Sequence, residues 1–225
     1  MRKIIIAIDG PAASGKSTTA REVARILCYT YIDSGAMYRA VTLKALREKV
    51  SVNDSKKVTE LAKKLNLSLK SYDSKTLIFM DGEDVSEKIR TPQIDKNISP
   101  VAANPAVREI MVTKQRTIGK TGGIVMDGRD IGTVVFPNAH LKIFMIASVK
   151  ERAIRRKKEL EQKGIKIDLE KVVEDIKYRD QQDMSRHHGP LLKSQDAIEL
   201  DTTQLSIEQQ IQKILKLARR KIEAL

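Results

Sequence analysis

The chain has 225 residues, 41% of them hydrophobic and 32% charged, with one cysteine and a formal net charge of +13. These values suit a single soluble globular domain; they exclude an internal disulfide and a cysteine-cluster metal site, and no apolar run approaches the roughly 18 residues of a membrane span. The positive balance attracts anions, nucleic acid and small phosphorylated metabolites alike, but aromatic residues are only 4% with no tryptophan, so a stacking platform for single strands is poorly supplied.

Met1-Arg2-Lys3 followed by Ile4 to Ile8 has the outline of a short signal peptide. Asp9 interrupts it and no clean small-residue cleavage site follows, so a cytoplasmic protein is expected. Ile4 to Ile8 is instead a continuous apolar run, as a strand buried on both faces requires. The next eight residues, Gly10-Pro11-Ala12-Ala13-Ser14-Gly15-Lys16-Ser17, fit G-x-x-x-x-G-K-[ST] in full, with Thr18 continuing the run. In this pattern the glycines let backbone N–H groups converge on phosphate oxygens, and the helix beginning near Lys16 adds its positive end. Lys16 is suited to the β- and γ-phosphates and Ser17 to a Mg²⁺ ion. ATPases, GTPases and kinases share the loop, so the loop alone does not name a reaction.

A helix carrying Ala20, Val23, Ala24 and Leu27 on one face follows, with Cys28 at its end read as a half-buried core residue. Tyr29 to Ile32 reads as a second strand and Gly35 to Leu46 as a second helix; this order implies parallel strands with crossover helices. From about Leu65 to Ile89, Leu67 and Leu69 alternate with polar residues, and Leu77 and Phe79 stand at the same spacing ahead of Asp81-Gly82, the signature of a small antiparallel insertion. Asn104-Pro105 opens a helix to about Ile118. Ile124 to Met126 and Leu141 to Ile146 are further buried strands. Ser148 and Glu151 have capping-box spacing at the head of a helix whose residues Lys150 to Lys158 include six basic and one acidic side chain. Gly164 breaks that helix, Asp168 caps another running to about Arg186, and Gly189-Pro190 marks its end. Ala197 to Leu200 reads as a last strand, and Ser206 with Gln209 caps a final helix whose basic residues form a solvated face.

A kinase acting on a phosphorylated acceptor needs two phosphate sites and cations between them. The acceptor oxygen is already anionic, so scattered arginines are required and a catalytic base is not. Asp33-Ser34-Gly35 ends the second strand, ahead of Tyr38 and Arg39. Arg108 lies on the helix after Asn104. Asp127-Gly128-Arg129-Asp130 follows a buried strand, where open parallel sheets bind ligands. Arg179, Asp183 and Arg186 share a helix face, either as a salt-bridged surface stripe or as a ligand contact. Asp127 reads either as a turn residue or as outer-shell support for Mg²⁺. Arg152, Arg155 and Arg156 read either as a solvated charge run or as a lid closing over a transferring phosphoryl group. His140, His187 and His188 have no metal-ligand spacing.

Together these segments resemble the bacterial-type cytidylate kinase family: IDGPAASGKST, YIDSGAMYRAV, GEDVSEKIRT, VAANPAVRE, MDGRDIGTVVFP, AHLKIFMIAS, ERAIRR, YRDQQD and LSIEQQI. DSGAMYR and DGRDIGTVVFP are more specific than the phosphate loop, and the resemblance covers nearly the whole chain. It implies an α/β fold: a P-loop parallel sheet flanked by helices, with a small antiparallel acceptor-binding insertion at about 62–100 and a helical lid at about 150–190, all within one domain over 1–225. It further implies ATP- and Mg²⁺-dependent phosphorylation of CMP or dCMP to the diphosphate, in pyrimidine nucleotide metabolism, by a cytoplasmic monomer with no nucleic-acid or membrane partner.

Carried over by position, the loop residues Gly10 to Thr18 and Arg155 contact ATP. Ser34, Arg39 and Arg129 look like contacts to the acceptor phosphate or elsewhere in the acceptor site, Ser99, Arg108 and Asp130 like readers of the cytosine, and Arg179, Asp183 and Arg186 like contacts to sugar and phosphate. Lys16, Asp127, Arg129 and Arg155 carry the chemistry, with Ser17 on Mg²⁺. A carboxylate accepts from the cytosine amino group, whereas uracil presents a carbonyl, so UMP is expected to be the poorer acceptor. His187-His188-Gly189 departs from the family pattern at the lid edge, as does Ser17 where glycine often follows the lysine. The rival readings are a UMP or AMP kinase, a basic nucleic-acid-binding P-loop protein with steeply salt-dependent binding, and a nucleotide-sensing scaffold without turnover.

Overall fold

The apolar runs form a parallel sheet in the computed structural model, which describes residues 3–72 and 75–224. The strands are β1 (Ile5–Asp9), β2 (Thr30–Asp33), β6 (Ile124–Gly128), β7 (Leu141–Ile146) and β8 (Ile198–Asp201), in the spatial order β2-β6-β1-β7-β8. Period-two alternation assigns the faces. Ile6 and Ile8 join Val125, Leu141 and Ile143 against α1 (Lys16–Leu27) and α8 (Ile207–Glu223). Ala7, Ile32 and Met126 face the other way, toward Val112 of α5 (Pro105–Gly119) and a single π-helical turn, Ile131–Val135. Helices on both faces explain why the central strands are apolar throughout.

α2 (Ser34–Arg47) leads into α3 (Ser55–Lys64), and then β3 (Leu67–Tyr72), β4 (Lys75–Met80) and β5 (Glu83–Asp84) form a separate antiparallel sheet. Asp81 and Gly82 link β4 to β5 with φ values of 52° and 86°, the left-handed pair that a tight hairpin demands. α4 (Pro92–Ala103) completes this region, and α2, α3 and the small sheet share one core containing Met37, Val41, Val58, Ile78 and Val85. α6 (Val149–Gln162) and α7 (Leu169–Ser185) pack on each other through Ala153, Leu160, Val172 and Ile176, a cluster distinct from the main core.

Local signals account for most of the boundaries. The side chain of Asn104 accepts from the N–H groups of Ala106 and Val107, and Ser206 and Gln209 form the complete reciprocal box. Ser148 makes its half of a box by accepting from the Glu151 N–H. Three expectations need correction. Asp168 stands at the N-cap of α7 but makes no side-chain cap bond. Cys28 is exposed rather than half-buried, because the chain leaves α1 there in a left-handed conformation (φ 55°) that turns the thiol outward. Helices α3 and α4 occupy segments for which no helix was expected. Among the described residues no helix is long and apolar enough to cross a membrane, and no group of three or more His, Cys, Asp or Glu side chains is placed to hold a metal ion.

Candidate active site

The carboxyl ends of β2, β6 and β1 lie side by side, with Asp33 in register with Asp127 and Asp9 with Gly128. From β1 the chain crosses to β2 on one side, while β7 lies on the other, so the connections diverge around the glycine-rich loop. Gly10 is packed so tightly on β7 that a side-chain carbon would overlap the Met145 carbonyl oxygen. Glycine is therefore required for the loop to leave the strand. Lys16 is buried and donates to the Pro11 carbonyl at 3.0 Å, folded back over its own loop. Burial first, then the Arg129 guanidinium, lowers its ammonium to about 7. The Ser14 carbonyl accepts from Thr202 Oγ1 at 2.9 Å, which ties the loop to the end of β8.

Ser17 Oγ donates to Asp127 Oδ2 at 2.7 Å, and Tyr31 Oη donates to Asp127 Oδ1 at 2.7 Å. Asp127 is buried, and burial, then the neighbouring Asp33, raises its carboxyl pKa. Ser34 Oγ donates to the Asp127 carbonyl at 2.7 Å, fixing the start of α2 to β6. The Ser17–Asp127 pair is an all-oxygen donor set with a buried carboxylate, the type that suits a hard divalent cation shared with phosphate oxygens.

Asp9 was passed over in the sequence although it closes the first apolar run. Its carboxylate accepts from the N–H groups of Ile131 (2.8 Å) and Gly132 (2.7 Å), capping the π turn that follows Asp130. Burial pushes its carboxyl up to about 7 against those two donors. The cap fixes the backbone directly after Arg129 and Asp130. Arg129 Nε donates to Asp183 Oδ2 at 2.6 Å. Arg108 pairs with Asp130 in a buried contact, and its guanidinium lies over the Tyr38 ring at 5.6 Å. Arg186, at the end of α7, stands 3.7 Å from Asp130 Oδ1 and 3.8 Å from Asp183 Oδ1. Burial works to raise Asp183, but Arg129 and then Arg179 hold it below the usual carboxylate range.

The turn after α7 covers this pair. Gly189 has φ 58°, and a side-chain carbon there would overlap both Arg108 and Asp130. His187 and His188, beside it, are exposed.

The arginines of α6 divide by face. Arg152 is buried and makes two bonds to Asp180 of α7, at 3.0 and 2.7 Å, with others to the Ala147 and Ala12 carbonyls. Arg155 lies along the loop, donating to the Thr202 carbonyl at 2.7 Å and to Glu151 at 3.0 Å. Arg156 reaches across to Asp95 of α4 at 2.6 Å, and so does Arg39 of α2 at 2.7 Å. Arg179 lies 3.6 Å from the same carboxylate, and Ser99 follows Asp95 by one helical turn on α4. Six guanidinium groups (Arg39, Arg108, Arg129, Arg156, Arg179 and Arg186) thus share the carboxylates of Asp95, Asp130 and Asp183. Arg108 is buried and the other five are partly buried, with Glu159 as a further partner of Arg156, and a surplus of positive charge held away from water is costly unless an anion joins it.

A phosphate loop on a parallel sheet, beside a cluster of guanidinium groups, defines a phosphotransferase of the P-loop class. The cytidylate kinase family profile matches residues 6–220. The chain is 50% identical over 216 residues to a cytidylate kinase of Bacillus cereus strain B4264, covering 96% of each. It is 50% identical over 217 residues to one of Caldicellulosiruptor bescii, again covering 96% of each. The chain belongs to the cytidylate kinase family. A solved structure of an uncharacterized protein from Eubacterium ventriosum is similar in fold, with a TM-score of 0.50 at 13% identity, over 96% of this chain and 99% of that one.

Proposed function

We propose that the protein transfers the γ-phosphoryl group of ATP to CMP or dCMP, giving ADP and CDP or dCDP. The observation that carries this reading is the Arg108–Asp130 pair, a donor and an acceptor held together under the Gly189 turn. Oδ2 of Asp130 is engaged by Arg108, while Oδ1 has Arg186 only at 3.7 Å. It retains acceptor capacity for an exocyclic amino group, and Arg108 supplies donors for the ring nitrogen and carbonyl of cytosine. Ser99 completes the base contacts.

Gly10 to Thr18 cradle the ATP phosphates, and Lys16 leaves the Pro11 carbonyl to meet them. Ser17 and Asp127 would hold a Mg²⁺ ion, which supplies neutralising charge on the phosphate oxygens. Ser34, Arg39 and Arg129 hold the acceptor phosphate, and Arg179, Asp183 and Arg186 hold its sugar and phosphate. In the transfer an acceptor phosphate oxygen attacks the γ-phosphorus in line as the bond to ADP breaks. Arg129 and Arg155 meet the charge spread over the phosphoryl oxygens, and no base is needed because the attacking oxygen is already anionic. The α6–α7 pair acts as the lid, excluding water that competes as acceptor. The region of about 62–100 acts as the acceptor-binding insertion, all within one domain, and the enzyme works as a cytoplasmic monomer on free nucleotides.

The test is ADP formation with CMP, dCMP, UMP and AMP in turn. CMP and dCMP are expected to be the best acceptors. A preference for AMP, or ADP release independent of any acceptor, refutes the reading.

A further inference from the structure

Asp95 lies outside every motif that led to the site, yet three guanidinium groups meet on it. It stands in the first turn of α4, where Thr91 caps the helix through the Ile94 N–H and the Asp95 N–H bonds the Thr91 carbonyl at 3.0 Å. Oδ1 accepts from Arg39 at 2.7 Å and lies 3.6 Å from Arg179; Oδ2 accepts from Arg156 at 2.6 Å. The three arginines come from α2, α7 and α6; Arg156 also pairs with Glu159 at 2.7 Å and Arg39 donates to the Ile89 carbonyl at 3.3 Å, but Asp95 is the one anion all three share, and it offsets their mutual repulsion. Burial works to raise the Asp95 carboxyl, but Arg39, then Arg156 and Arg179, hold it below the usual carboxylate range.

We infer that Asp95 is an internal anion standing in for the acceptor's phosphate: its carboxylate fills the guanidinium cage of Arg39, Arg156 and Arg179 until a phosphate monoester displaces it. This inference rests on the assignment of Arg39 and Arg179 to the acceptor in the proposed function. A phosphate dianion brings more charge and one more oxygen than a carboxylate, so it wins the exchange; it does so at a reduced apparent affinity. The arrangement keeps the arginines gathered in the unliganded enzyme and sets a threshold for acceptor binding. A cage filled in about nine-tenths of unliganded molecules raises the apparent dissociation constant roughly tenfold, because only the unfilled fraction is competent.

The test compares wild type with Asp95→Asn and Asp95→Ala. The inhibition constant of inorganic phosphate against the acceptor is expected to fall roughly tenfold in both variants, and KM for CMP to fall with it, while kcat does not rise. Inorganic phosphate has no base, so this measurement probes the cage whichever nucleoside monophosphate the wild type prefers; a wild type that prefers AMP refutes the functional reading alone. A second measurement guards against a variant that only loses stability. In phosphate-free buffer the variants should melt below the wild type, and added inorganic phosphate, at matched ionic strength, should raise their Tm more than that of the wild type. Phosphate affinity that is unchanged or weaker in the variants, or a Tm deficit that phosphate does not narrow, overturns the inference and makes Asp95 a fixed brace.

Discussion

Replacing Asp130 by asparagine keeps the shape of the side chain and removes its charge. In the wild type the carboxylate is buried, paired with Arg108 and 3.7 Å from Arg186, so a base amino group meeting Oδ1 makes a charge-assisted bond away from bulk water. Bonds of that kind contribute about 1.5–3 kcal/mol. At 1.4 kcal/mol per factor of ten, kcat/KM for CMP is expected to fall by roughly 10- to 100-fold. UMP moves the other way, because the asparagine amide can donate to the uracil carbonyl that a carboxylate repels. The CMP-to-UMP ratio should therefore narrow by more than the loss on CMP alone. The assay is steady-state ADP formation with each acceptor across a full concentration range, together with a melting curve to confirm that the variant is folded. A folded Asp130→Asn enzyme with the wild-type CMP-to-UMP ratio refutes the assignment of Asp130 to the base.

Three further outcomes follow from the geometry. Lys16 sits at about 7 in the free protein, and bound phosphates favour its protonated form, so ATP binding above pH 7 takes up a proton and weakens by up to about tenfold per pH unit. Calorimetry at pH 8 in two buffers of different ionisation enthalpy should register that uptake. In nucleotide-free protein the unfolded chain holds the extra proton between pH 7 and 10.5, so this lysine makes the fold more stable as pH rises through that window. Arg152→Ala leaves Asp180 without its partner and should cost about 3 kcal/mol, concentrated in α6 and α7 and read as faster hydrogen exchange there than in the sheet. Gly189→Ala forces a side chain into left-handed backbone at about 1–2 kcal/mol and lifts the turn from the Arg108–Asp130 pair, so KM for CMP should rise with KM for ATP unchanged.

Features written in contiguous residues were readable from the chain. The glycine-rich loop, the Asn104-Pro105 helix start, the Ser206–Gln209 cap and the Asp81-Gly82 turn each carry their physics within a few positions, and each stands where its residues place it. Helix α4 was hidden by its prolines: Pro92 opens it and Pro100 lies inside its last turn, a pattern that reads as loop. Helix α3 is hidden by lysines, with Val58, Thr59 and Ala62 as its only fully buried positions. The π turn depends on the Asp9 carboxylate, more than a hundred residues away, so no local pattern announces it. Asp95 is the extreme case, since its partners at 39, 156 and 179 come from three separate helices. The three arginines of α6 look equivalent in the sequence, and only packing against α7, β8 and α4 separates them.

Arg152 also dictates where motion is possible. It fastens α6 to α7 and, through the Ala147 and Ala12 carbonyls, to the body beneath, so in the proposed lid closure it would serve as the pivot. Travel then grows with distance along α6. Gln162, the last residue of α6, lies ten residues farther on, roughly 15 Å by helical rise, and a rotation of about 20° about that pivot would carry it about 5 Å. A fluorophore on Lys163, whose ammonium lies 3.5 Å from the Arg90 carbonyl, would sweep the widest arc, whereas one near Lys150 would scarcely shift.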